Sequence, residues 1–298
     1  MNEQRILFDA PGPRARRRHA MLTGLGVLLA AGLLYLVLRK MADKGQLDAT
    51  LWKPFTTAEV WREYLVPGLI NTFKAAAISI VLAGAFGLVF GLGRLSPIAP
   101  VRWVSGVVVE FFRAVPVLIM MIFAFGVYAQ NQVFSSENNP LAAVVTGLTL
   151  YNGAVVAELV RSGVHSLPKG QAEAGLSIGL TPGQTLRSIQ LPQALTAMLP
   201  ALIGQLVVVL KDSALGYQIT YLELLLWSKT LGSAYANTVP AYIVAAVLFV
   251  VVNYSLTVLA RYVERRLSRR GRTSLPAAVV SPAKDDVSVA AVGQRPSR

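Results

Sequence analysis

Seven charged side chains fall inside or at the edge of otherwise apolar runs: Lys74, Glu110, Arg113, Glu158, Arg161, Lys211 and Asp212. A charge at the centre of a bilayer costs on the order of 2.5–3.5 kcal/mol on insertion scales, so each needs an account. Glu110 and Arg113 are three residues apart, as are Glu158 and Arg161, which puts each pair on one helix face. Their spacing admits mutual pairing near an interface or a gating or substrate role. Lys211 and Asp212 close an apolar run, and Lys74 sits where a four-carbon stem can snorkel to water. Other chemistry is sparse. The chain has no cysteine and two histidines, His19 and His165, so disulfides, thiolate metal sites and a cysteine nucleophile are excluded. No nucleophile–base pair or metal cluster points to a membrane-embedded hydrolase. No G-x-x-x-x-G-K-[ST] phosphate loop is present either.

The elements that must carry these charges are helices in a membrane. Of 298 residues 54% are hydrophobic and 14% charged, where a soluble domain carries about a quarter charged. The apolar runs are long enough to cross roughly 30 Å of hydrocarbon at about 1.5 Å per residue. Only helices satisfy their own backbone there without closing a barrel. The expected fold is all-α and polytopic, with six transmembrane helices near residues 21–38, 66–92, 104–128, 140–159, 195–210 and 240–259. Pro116 is expected to kink the third, and Gly84, Gly87 and Gly91 to pack the second closely. The first follows a basic run and lacks a small-residue cleavage site, so it reads as a retained anchor.

Charge distribution sets the orientation. Twenty of the 28 Lys and Arg fall in residues 1–20, the 94–102 turn with Arg113, the 161–187 loop and the C-terminal tail. The positive-inside rule puts those segments and both termini in the cytoplasm of a plasma membrane. The net charge of +13 is explained by these clusters flanking spans, where they meet anionic lipid; no aromatic-interleaved basic patch argues for nucleic acid. The expected organisation is a basic tail (1–20), an extra helix (21–38), an extracytoplasmic linker (39–65), a transmembrane domain (66–262) and a largely disordered tail (263–298). The segment from Tyr221 to Trp227 reads as lying on the membrane or re-entering it.

One polar loop, 165–192, carries unusual local order. Pro168 suits the start of a short helix and Gly179 the left-handed residue that ends it. Thr181, Pro182 and Gln184 form a capping-box pattern for a second helix, which Leu191-Pro192 is expected to stop. Such a helix–turn–helix at a membrane surface is a docking element.

Glu173-Ala174-Gly175, then Gly179, then Ile189-x-Leu191-Pro192 resembles the EAA loop of ABC-transporter permease subunits, with Gly175 where the family has Ala. Glu110-Phe-Phe-Arg113-Ala-Val-Pro116-Val-Leu118 resembles a segment of polar amino-acid permeases, with Ala114 and Val115 in place of Gly-Thr. The stretches Tyr151–Arg161, Gly170-Gln171 and Lys211-Asp212-Ser-Ala-Leu are similar to that family's signatures. Together with Asp9-Ala-Pro-Gly-Pro13 and Trp52-Lys-Pro-Phe55, they look closest to the second permease subunit of glutamate uptake systems in Gram-positive bacteria.

The resemblance implies an importer permease for a polar amino acid, glutamate best, preceded by one extra helix. It implies a homologous permease subunit as heterodimer partner, two ATP-binding subunits and an extracytoplasmic solute-binding protein. The loop would seat on the ATPase through Glu173, Ala174, Gly175, Gly179, Ile189, Leu191 and Pro192. This chain would bind no cofactor, ATP-Mg being used by the ATPase. Arg113, Pro116, Glu158, Arg161, Lys211 and Asp212 are the candidates for substrate path or gating. The alternative is an ion-gradient-driven secondary transporter using Glu110 or Glu158 for coupling protons.

Overall fold

The computed structural model describes residues 12–271, with side-chain surroundings as far as residue 262. The Asp9–Gly12 part of the N-terminal motif, save Gly12, and the tail from residue 272 lie outside the described residues. Among the described residues nine principal helices carry the architecture: α1 (Pro13–Asp43), α2 (Val66–Arg94), α3 (Ala99–Ala114), α4 (Val117–Gln130), α5 (Asn139–His165), α6 (Lys169–Ser177), α7, α8 (Leu224–Ala234) and α9 (Thr238–Gly271). α7 is a continuous rod made of Pro182–Thr185, a π-helical Leu186–Gln190 and Leu191–Asp212. Among the described residues there is no strand.

Five helical stretches are long and apolar enough to cross a membrane, and a bent pair, α3 with α4, makes a sixth. α5 is the hub. It packs against α2, α3, α4 and α7, and the main core joins it through Val144 and Leu148 to Ala75 and Ala76 of α2, Met121 of α4 and Val209 and Leu210 of α7. By contrast no residue of α1 is buried.

Small residues bring α2 against α5. A Cβ on Gly87 would run into Val156 and sit 3.0 Å from the Gly153 carbonyl, and one on Gly91 would lie 2.9 Å from Val160 Cβ. Without a hydrophobic drive between helices in lipid, such close approach is what holds them. Gly84, expected to belong to the same contact, has nothing within 4 Å of a Cβ position; it lies on the same stripe of α2, one turn before the point of close approach.

Two boundaries differ from expectation at prolines. The third span is not one kinked helix: α3 and α4 meet at 98°. Val115 (ψ 127°) and Pro116 (ψ 133°) are extended, because proline's ring pushes the preceding residue out of the helical region and its missing N–H breaks the ladder. Leu191-Pro192 does not stop the second short helix, which runs on into the span. The π turn Leu186–Gln190 contains Ser188, four residues before Pro192, whose carbonyl the proline ring would otherwise strike; the wider turn makes room. The same device recurs before Pro67, where Trp61–Leu65 is π-helical. α9 also outlasts its expected span, continuing helical to Gly271.

At the end of the bundle opposite the 165–192 loop, α8 packs between α2 and α9 through Leu224 and Leu231, with Val60, Leu65 and Ala241 completing the cluster. The Tyr221–Trp227 stretch is therefore held by protein, with Tyr221 and Leu224 buried, and does not lie on a membrane surface.

Candidate functional site

The 165–192 loop folds into a closed hairpin whose turn is fixed locally. Gly179 adopts φ +85°, and two bonds converge on it: Gly179 N–H donates to the Leu176 carbonyl (3.0 Å) and Leu180 N–H to the Gly175 carbonyl (3.1 Å). This pair of bonds satisfies the last free carbonyls of α6 and requires a left-handed residue between them. Thr181 then opens α7 with a capping box. Its Oγ1 accepts the Gln184 N–H (3.4 Å) while Gln184 Oε1 accepts the Thr181 N–H (2.9 Å).

The hairpin's two arms lock at a glycine. A Cβ on Gly175 would stand 2.6 Å from Thr185 Cγ2 and 3.0 Å from Ile189 Cδ1, so the family's alanine would need a slightly wider hairpin here. Gln193 Nε2 donates to Gln171 Oε1 (2.8 Å), tying α7 back to α6. Leu191 packs beneath, with Val160 and Val164 of α5 and Ala194 of α7. The outward face is left with Glu173, Ala174, Leu176 and Ile178 exposed, Ile178 at 75%.

A second site lies at the same end, where α2, α3 and α5 meet. Arg94 Nη1 donates to Glu158 Oε2 (2.7 Å) and its Nη2 to Glu110 Oε1 (3.1 Å). Arg161 grips Glu158 through Nη2 (2.5 Å) and Nε (3.2 Å). Arg113 reaches Glu110 Oε1 at 3.3 Å and stands 3.7 Å from Glu158 Oε2. The two pairs expected from i,i+3 spacing both form, yet they are one network of three guanidiniums and two carboxylates. Its centre is Arg94 and Glu158, whose side chains are 13% and 22% exposed. Pro116 stands beside it, at the break that turns α3 into α4.

A profile of binding-protein-dependent transport system inner membrane components matches residues 83–269. The chain belongs to this family. The permease is 50% identical over 232 residues to the glutamate transport system permease GluD of Corynebacterium glutamicum, covering 78% of this chain and 85% of that one. It is 35% identical over 206 residues to a probable glutamine ABC transporter permease, GlnP, of Bacillus subtilis, covering 68% and 93%. Among solved structures, an amino acid ABC transporter with histidines aligns with a TM-score of 0.62 at 28% identity, over 68% of this chain and 93% of that one. The methionine ABC transporter MetNI shares the fold at 21% identity and a TM-score of 0.61, over 70% and 99%. The permease is thus a multi-pass membrane component of an ABC amino-acid transport system, and the gradient-driven alternative finds no support.

Not all the permease's candidate residues come together. Arg113, Glu158 and Arg161 share the network, but Lys211 lies at the far end of α7. There it lines a separate cavity of about 520 Å³ with Tyr242 and Asn253 of α9 and Leu225 of α8. Asp212, next to it, is partly buried.

Three groups escaped the sequence reading. Arg94 stands in the sequence only as a topology charge; its position at the end of a span, near two charge pairs, is the available signal. Gln205 Nε2 donates to Asn152 Oδ1 (2.5 Å), and Asn152 Nδ2 to the Leu148 carbonyl (2.9 Å), an amide pair between α5 and α7 inside the spans. Neither residue is charged, so neither stood out. Glu223, fully buried, caps α8 by accepting the Leu225 and Leu226 N–H groups at 2.7 and 2.8 Å. Burial pushes its carboxyl up to about 7 against the pull of those two bonds.

Proposed function

We propose that the permease carries glutamate inward, as one of two homologous permease subunits in an importer with two ATP-binding subunits and an extracytoplasmic solute-binding protein. The 50% identity to a glutamate transport permease over most of both chains carries the substrate reading. The permease binds no cofactor itself, and ATP-Mg is used by the partner ATPase. The hairpin residues Glu173, Ala174, Gly175, Gly179, Ile189, Leu191 and Pro192 form the coupling element. Gly175, Gly179 and Ile189 shape it, while Glu173 and Ala174 meet the ATPase beside Leu176 and Ile178. Movement of the ATPases reaches the bundle directly, because the hairpin's second arm is the start of α7.

Both termini and the hairpin are cytoplasmic in this reading, which rests on the excess of Lys and Arg at that end. A cytoplasm-active reporter fused at Lys169 should be active, and an export-dependent one fused at Ser136 should be active too. An export-dependent signal from Lys169 would overturn both the orientation and the coupling role.

Glutamate brings a second carboxylate, so its path needs a compensating cation. Arg113 already faces Glu110 and Glu158 and belongs with Pro116, Glu158 and Arg161 to an inner gate. Lys211, with Asp212 as its neighbour, is the better contact for the passing solute, since its cavity is otherwise mostly apolar. In a strain lacking this chain, Lys211→Gln should lower glutamate uptake about fivefold more than glutamine uptake, the effect of one lost charge-assisted contact of roughly 1 kcal/mol. Equal loss for both solutes gives Lys211 a structural role. A deletion strain with full glutamate uptake and no uptake of a cationic amino acid overturns the substrate.

A further inference from the structure

Beside the charge network lies a cavity of about 930 Å³ that adjoins the coupling hairpin only at His165. Its two sides differ sharply. One is cationic: Arg102 from α3 and Arg161 from α5, backed by Arg94, with the His165 ring one turn further along α5. The other is apolar and comes from α3 alone, with Trp103, Val107 and Phe111 spaced 4 apart along one face. That face is bare, Trp103 being 70% and Phe111 60% exposed. Glu110 is the one carboxylate among the lining residues, and it is held by Arg94 and Arg113.

The cations at the mouth keep donors in reserve. Arg102 spends Nη1 on the Ser96 (2.9 Å) and Pro97 (3.4 Å) carbonyls of the α2–α3 turn, which aims the guanidinium and leaves Nη2 and Nε without an acceptor among the described residues. Arg161 spends Nη2 and Nε on Glu158 and keeps Nη1. His165 donates Nδ1–H to the Arg161 carbonyl (2.8 Å), which fixes its ring at the rim of the cavity. The cavity sits where α2 ends, at the level at which a span leaves hydrocarbon. A cationic cup at that level, continuous with an exposed apolar strip that carries a tryptophan, has the amphipathic layout of a lipid and the charge of its counter-ion.

The geometry points to a specific site for an anionic phospholipid, its phosphate on Arg102 and Arg161 and its acyl chain along Trp103, Val107 and Phe111. Binding does not depend on the proposed orientation; only the assignment to the inner leaflet rests on that reading. A wrong orientation shows in the reporter fusions, whereas a wrong site shows in the lipid count.

Native mass spectrometry of the full chain in detergent, titrated with phosphatidylglycerol or phosphatidylcholine, tests this. Phosphatidylglycerol should bind at least tenfold more tightly at one site. Arg102→Gln should weaken that binding about fivefold, roughly the loss of one charge-assisted contact, while Arg102→Lys keeps most of it because the charge remains. Trp103→Ala should weaken phosphatidylglycerol but leave glycerol 3-phosphate unchanged. Arg62→Gln, at the opposite end, should change nothing. Equal retention of the two lipids overturns the site, and so does equal loss in Arg102→Gln and Arg102→Lys, which would mean that Arg102 only braces the turn. Displacement of the lipid by glycerol 3-phosphate at similar concentration overturns it in favour of a soluble anion.

Discussion

Gly179→Val should abolish uptake, by at least tenfold, while the protein still reaches the membrane in normal amount. Gly179 stands at φ +85°, where a β-branched side chain is strained by on the order of 1–3 kcal/mol. A hairpin of two short arms has little else to oppose that strain. The bonds from Gly179 and Leu180 to the Leu176 and Gly175 carbonyls would open, and with them the angle at which Glu173 and Ile178 are presented. The spans are untouched, because a Cβ at Gly179 meets nothing within 4 Å; the damage is conformational and local. Gly179→Asn should retain most activity, since asparagine tolerates the left-handed region. Glu173→Lys should also abolish uptake, by reversing a charge on the exposed face with the fold intact. Uptake assays beside quantitation of inserted protein read both. If Gly179→Val transports at the wild-type rate with normal insertion, the hairpin is not the coupling element.

The second large effect is expected at Glu158. Glu158→Gln leaves Arg94, Arg113 and Arg161 with Glu110 alone, and it removes the 2.7 Å bond from Arg94 and the two-pronged grip of Arg161. Losing a carboxylate from a half-buried set of guanidiniums costs on the order of 1–3 kcal/mol, chiefly through the charges left unpaired. Membrane levels should fall severalfold, and uptake per inserted molecule at least tenfold. Glu110→Gln should be mild, within about 1 kcal/mol, because that carboxylate is 58% exposed and well screened. Adding Arg113→Gln to Glu158→Gln should recover part of the loss, so the pair should be strongly non-additive. Damage from Glu110→Gln equal to that from Glu158→Gln would refute the ranking by burial.

These two sites differ in how far the amino-acid sequence alone specifies them. The hairpin turn is legible residue by residue, since a left-handed glycine, a capping box and a proline at a helix start are each settled within one or two turns of chain. The same is true of Glu110–Arg113 and Glu158–Arg161, which a helix brings together whatever surrounds it. The membrane location and helical class follow from apolar length and from the cost of an unsatisfied backbone in lipid.

Other features required the packed bundle. Arg94 is 64 residues from Glu158 and 16 from Glu110, and only the crossing of α2, α3 and α5 makes two local pairs into one network. Gly87 and Gly91 touch α5 and Gly84 does not, although the three share one stripe of α2; where along its length α2 meets its neighbour is set by how the two helices cross, which composition does not encode. Asn152 and Gln205 read as two unremarkable polar residues until the register of α5 against α7 puts them together, 53 positions apart. The prolines show the same limit. Pro116 breaks its span by 98°, whereas Pro192 is absorbed by a π turn and passes the helix through. A proline removes one donor and forbids one carbonyl position. Whether the chain bends or widens in response is decided by what the neighbouring helices allow, and that is a property of the tertiary structure.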